Sequence, residues 1–111
     1  MAKATPIEKY TYRVIWSEED QEHVGLVAEF PSLSWLAPTA GEALKGITKL
    51  VAEVVDDMEK SKELPPAPLS LQEFSGKILV RIPRQQHREL AMEAAEQGVS
   101  MNRLISQKLS R

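Results

Sequence analysis

The sequence predicts an α+β chain in two parts: a small antiparallel sheet covered by one helix, then a single strand followed by two short helices. Three observations lead there. A long stripe of apolar residues recurs at three- and four-residue steps through the middle of the chain. A proline cluster, Leu64-Pro65-Pro66-Ala67-Pro68, follows it and rules out helix or central strand. Beyond that cluster, Lys77-Ile78-Leu79-Val80-Arg81-Ile82-Pro83 alternates with period two: Ile78, Val80 and Ile82 share one face, and Lys77, Leu79 and Arg81 share the other.

The elements follow in order. Residues 1–8 read as a frayed lead-in. Tyr10–Trp16 is rich in β-formers and reads as a strand, and Ser17–Glu22 as a polar turn. His23–Phe30 is a second strand stopped by Pro31, and Ser34–Ala37 a short third one ending at Pro38. Connections this short favour an antiparallel meander. Thr39 with Glu42 three residues on has capping-box spacing. The helix it opens carries Ala40, Ala43, Leu44, Ile47, Leu50, Val51, Val54, Val55 and Met58 on one stripe and fades near Lys62. The sheet is the surface such a stripe packs on. Domain boundaries are therefore expected at 1–63, with a semi-rigid linker over 64–75 and a second domain over 76–111.

The composition, 42% apolar and 27% charged, is that of a globular protein rather than a disordered one. With no cysteine, disulfides and cysteine-ligated metal are excluded, and two distant histidines argue against a structural metal site. No run approaches the roughly 20 apolar residues that span a bilayer, and the N-terminus runs into charged sequence without an apolar leader core. A cytoplasmic protein without cofactor, metal or membrane is the expectation. Charge is divided: residues 1–74 hold 7 Lys/Arg against 13 Asp/Glu, net −6, and residues 75–111 hold 7 against 3, net +4. The tail suits a polyanion, and the front suits a basic partner or plain solubility.

One strand and two short helices make too small a core to stand alone, and a lone strand leaves its backbone groups unpaired. A second copy solves both problems if the strands pair across a two-fold axis. Ile78, Val80 and Ile82 then form the dimer interface. Lys77, Leu79 and Arg81 point outward as a two-stranded ribbon of a size that enters the DNA major groove.

This last part resembles the ribbon-helix-helix family of DNA-binding repressors. The resemblance rests on Val80-Arg81-Ile82-Pro83, on the helix-breaking Gly98, and on Ser100-Met101-Asn102-Arg103-Leu104-Ile105, and covers about 36 residues. It implies that Lys77, Leu79 and Arg81 read bases and that Ser100, Met101 and Asn102, at the start of the last helix, hold a phosphate. Leu79 departs from the usual polar reader and offers only an apolar contact, for instance with a thymine methyl. The whole order is similar to the HicB family of antitoxins, through Glu29-Phe30-Pro31-Ser32-Leu33, Thr39-Ala40-Gly41-Glu42-Ala43-Leu44 and the proline cluster. That similarity implies a partial RNase H-like front domain without catalysis, which covers a small RNA-cleaving HicA-like toxin, joined to a dimeric ribbon-helix-helix that represses its own operon through operator DNA. The chain departs from the family after Pro31, where Ser34-Trp35-Leu36-Ala37 replaces small, glycine-rich residues. Partners so implied are operator DNA, the toxin and a second copy, with higher-order assembly left open.

Each candidate also has a plainer reading. Lys77 and Arg81 are also what a solvated strand face carries, and Ser100 is first of all a helix N-cap. Arg84 and Arg88 are either surface charges or contacts to flanking DNA backbone. Met101, Leu104, Ile105 and Leu109 read as core. Glu18, Glu19, Asp20 and Glu22 read as a solvated turn rather than a metal site. Asp56 and Asp57 are adjacent and do not share a helix face. No carboxylate set has nuclease spacing, and His23 and His87 lack a nucleophile motif, so no enzymatic activity is expected. A residual nuclease is the reading least supported. A stand-alone regulator without a toxin is the alternative. Trp35 is either core or an exposed partner anchor.

Overall fold

A computed structural model describes residues 5–110 of the chain. It divides into two compact units, the first ending at Phe74 and the second beginning at Ser75.

The first unit is a three-stranded antiparallel meander, β1 (Tyr12–Ser17), β2 (Glu22–Val27) and β3 (Ser34–Ala37), in the order β1-β2-β3, with helix α1 (Ala40–Lys60) across it. Register places Val14 opposite Gly25 opposite Trp35. That row faces α1, because a Cβ on Gly25 would meet the Ala43 carbonyl oxygen at 2.5 Å and the Ile47 side chain. Glycine here lets the helix approach the middle strand closely. Tyr10, Val27, Ile47, Val51 and Val55 form the core, with Ile7, Tyr12, Phe30, Leu33 and Leu50 packed against it. Ile47 and Val51 are fully buried, each stabilising the fold by about 1.5–3 kcal/mol through area removed from water. Ala40 and Leu44, placed on the apolar stripe by their spacing, are exposed. They lie in the first turns of α1, to either side of Ala43, which is the residue buried against the sheet there.

Both ends of α1 are closed locally. Thr39 Oγ1 accepts from the Glu42 N–H at 3.1 Å and donates to Glu42 Oε1 at 2.9 Å. At the other end Lys62 takes a left-handed φ of 60°, and Glu63 N donates to Met58 O at 2.8 Å.

Three expectations change in this unit. Tyr10 does not start β1. A 3-10 turn over Ile7–Lys9 precedes it, and its side chain is core. Thr5 to Glu8 are likewise not frayed, since Thr5 Oγ1 donates to Glu59 Oε2 at 2.8 Å. The rest of the expected lead-in, residues 1–4, lies outside the described residues, as does Arg111. The proline-rich segment is not free of the front unit either. Tyr10 Oη donates to Pro66 O at 2.7 Å, and Leu69 N donates to Glu29 Oε2 at 2.8 Å.

The second unit contains α2 (Arg84–Gln97) and α3 (Met101–Leu109), which pack on one another through Ala94 and Leu104. Gly98, with φ 66°, ends α2 in the left-handed conformation, its N–H reaching the Ala94 and Ala95 carbonyls. Lys108 Nζ meets Glu93 Oε2 at 3.1 Å across the helix pair. Leu109, read as core from its spacing, is exposed: it is the last helical residue, and α2 does not cover it.

Candidate nucleic-acid and partner surfaces

Lys77–Ile82 forms neither helix nor ladder within the chain, and every residue in it is exposed. Ile78 is 78% exposed, Leu79 92% and Val80 63%; Ile82, the least exposed apolar residue of the four, sits next to the start of α2. Lys77 and Arg81 form no ion pair among the described residues. A β-branched run left in water is an expensive arrangement. Covering Ile78, Val80 and Ile82 fully would contribute about 1.5–3 kcal/mol each. No described residue of the same chain performs that burial. The assigned readers Lys77, Leu79 and Arg81 and the assigned interface residues Ile78, Val80 and Ile82 are thus on one accessible stretch. The alternation that would separate their faces needs a second strand.

Ser100, Met101 and Asn102 open α3. Ser100 has extended backbone, φ −71° and ψ 156°, and its Oγ accepts from the Arg103 N–H at 3.1 Å. The sequence reading of Ser100 as a cap therefore matches the geometry. The cap satisfies the third amide of the helix. The amides of Met101 and Asn102 take no acceptor among the described residues. Two free N–H groups at a helix N-terminus are the arrangement that accepts an anion. Asn102 and Arg103 are exposed beside them, while Met101 is half-buried between the helices. Arg84 and Arg88 are exposed on α2.

A second surface lies on the face of the sheet away from α1. Ile15, Val24 and Leu36 are paired straight across the three strands, and Leu26 stands beside them. Ile15 and Leu36 are nearly half exposed. Arg13, Glu22 and Ser34 lie at the margins, and the β1–β2 turn adds Glu18, Glu19 and Asp20 at one end. Glu18 is fixed in that turn by hydrogen bonds from Trp16 Nε1 at 3.0 Å and Gln21 Nε2 at 2.6 Å. Those two donors hold its carboxyl below the usual carboxylate range. This row was missed in the sequence because it is made of single residues from three strands. Only the pairing register reveals it.

Trp35 is on the opposite, helix-facing side, where its indole occupies the space a Cβ on Gly46 would need. It remains 45% exposed. The two sequence readings of it, core and surface anchor, each describe part of the ring.

Among the described residues no three His, Asp or Glu side chains gather where a metal ion would sit. Among the same residues no helix is long and apolar enough to cross a membrane. No curated protein and no solved structure matches this chain. Residues 59–109, running from the last turn of α1 through the proline-rich segment and nearly all of the second unit, match the model of the HicB family.

Proposed function

We propose that the chain is a HicB-type antitoxin: its second unit dimerises and binds operator DNA, and its first unit holds a small, basic, RNA-cleaving toxin. The match over residues 59–109 supports the antitoxin role. The observation that carries the DNA-binding half is the exposed apolar run Ile78, Val80 and Ile82, which has no mate among the described residues and is followed at once by two helices. A second copy supplies the mate, with antiparallel pairing that turns Lys77, Leu79 and Arg81 to one side. The uncapped amides of Met101 and Asn102 provide a backbone-phosphate contact, and the surplus of cations over residues 75–111 supplies the long-range attraction. On the first unit, the Ile15–Val24–Leu36 row with acids at one end is the surface suited to a basic protein.

The test has two arms. Fluorescence anisotropy with the fragment upstream of the gene, against random duplex and at two salt concentrations, measures the DNA reading. Preference for the upstream fragment together with a steep salt slope is the expected result; equal affinity for both duplexes removes it. Calorimetry with the protein of the neighbouring reading frame measures the toxin reading. Binding there, weakened by Leu36→Asp, supports it. DNA preference without such binding favours the stand-alone regulator.

A further inference from the structure

The proline-rich segment is attached in a particular way. Three hydrogen bonds hold residues 65–71 to the rest of the first unit: Tyr10 Oη to Pro66 O, Leu69 N to Glu29 Oε2, and Ser70 Oγ to Lys9 O. The turn Leu69–Leu71 rests on the turn Ile7–Lys9. Of the segment, only Pro68 is buried; Leu69 and Leu71 are exposed. Pro65 and Pro66 are half-buried, and of the three bonds that of Tyr10 is part-buried while those of Leu69 and Ser70 lie at the surface. Such contacts exchange with water far more readily than α1 exchanges its apolar packing on the sheet.

Glu29 is the hub. Its Oε1 accepts from the Thr11 N–H at 2.9 Å, and its Oε2 accepts from Thr11 Oγ1 at 3.1 Å and from the Leu69 N–H. One carboxylate just past β2 thus ties the entry of β1 to the proline-rich segment. We propose that residues 65–71 are a releasable strap, caught by the Glu29 carboxylate and the Tyr10 hydroxyl, which sets how much chain is free between the two units.

With the strap caught, and with Lys77–Ile82 paired as in the proposed dimer, the free chain is residues 72–76, about five residues with a reach of roughly 17 Å. With the strap released it is residues 63–76, about fourteen residues and roughly 48 Å. The effective concentration of one unit at a target held by the other falls roughly as the −3/2 power of tether length, here about fivefold. Whatever binds the first unit over Thr11, Glu29 or Leu69 would then change the reach of the second. The tether lengths rest on the pairing of Lys77–Ile82 given under the proposed function; the strap itself does not.

Hydrogen–deuterium exchange on the full chain tests it, with the wild type, Glu29→Ala and Tyr10→Phe. In the wild type, peptides over 62–72 should exchange faster than Ile47–Val55 and slower than the intrinsic rate of an unstructured chain. Either variant should speed those peptides about tenfold while leaving Ile47–Val55 unchanged. Spin labels at Asp57→Cys and Gln107→Cys, unambiguous in a chain without native cysteine, should show a wider distance distribution in both variants. The proposal is overturned if the strap already exchanges at the intrinsic rate, if it opens only together with α1, or if neither variant changes it.

Discussion

The indole of Trp35 fills the place that a side chain on Gly46 would take, so strand β3 and helix α1 are joined through a glycine. Gly46→Ala should push the ring outward or force the helix away from the sheet. Overpacking of this kind costs about 1–3 kcal/mol. Chemical denaturation should show that loss, and Trp35 fluorescence should shift to longer wavelength as the ring becomes wetter. Replacing Trp35 with Leu in the same background should restore part of the stability.

Dimerisation should depend on the exposed apolar run. Val80→Asp places two charges at the proposed two-fold axis, a cost of several kcal/mol without compensating partners. Sedimentation should give a dimer for the wild type at micromolar concentration and a monomer for the variant. A folded wild-type monomer at that concentration would refute the pairing.

DNA contacts should separate into two classes. Arg81→Ala should cost about 1–3 kcal/mol and relax preference at one base step per half-site, because a lost base-edge contact removes sequence information. Ser100→Ala removes the cap of α3, and a bulky side chain at Asn102 obstructs its free amides. Each should weaken all duplexes nearly alike. Anisotropy titrations against a panel of single-base variants distinguish the two. Unchanged specificity in Arg81→Ala would mean that the reading face has been wrongly assigned.

Glu29 supplies a pH dependence. Partial burial pushes its carboxyl up, but the hydrogen bonds from Thr11 and Leu69 outweigh this and hold it below the ordinary carboxylate value. The folded state therefore binds this proton less readily than the unfolded chain. The stabilisation is present above the ordinary carboxylate pKa and is lost as pH falls through the lower folded value. Melting curves between neutral and strongly acidic pH should show the wild type losing more stability than Glu29→Gln. Parallel curves would remove Glu29 from the account.

Lys62 adopts a left-handed conformation that side chains resist. Lys62→Gly should raise stability by up to about 1 kcal/mol, since glycine takes this conformation without steric cost. Thermal melting measures the change directly.

What the sequence made legible was local. Thr39 and Glu42 announced the start of α1, and the prolines bounding Ser34–Ala37 marked β3 with both ends correct. The strands before it were placed with looser ends, because Tyr10 and Phe30 are β-formers that the fold uses as core outside the ladder; their rings meet edge to face at 5.5 Å. Ser100 as a cap was legible from its position after Gly98. The Ile15–Val24–Leu36 row and the Glu29–Leu69 contact were not. The first depends on register, and the second joins residues 40 positions apart, a separation no short motif spans.

The unpaired stretch Lys77–Ile82 has a consequence for how long a copy of this protein survives. Proteases bind their substrates as extended, unpaired backbone, and this stretch offers that together with two cleavable basic residues, Lys77 and Arg81. In the proposed dimer the same bonds would lie within a ladder. Lifetime should then rise with abundance, so that a falling supply of new chains is amplified into a steeper loss of the old ones. The proposed dimer interface would serve as a degradation signal that pairing switches off.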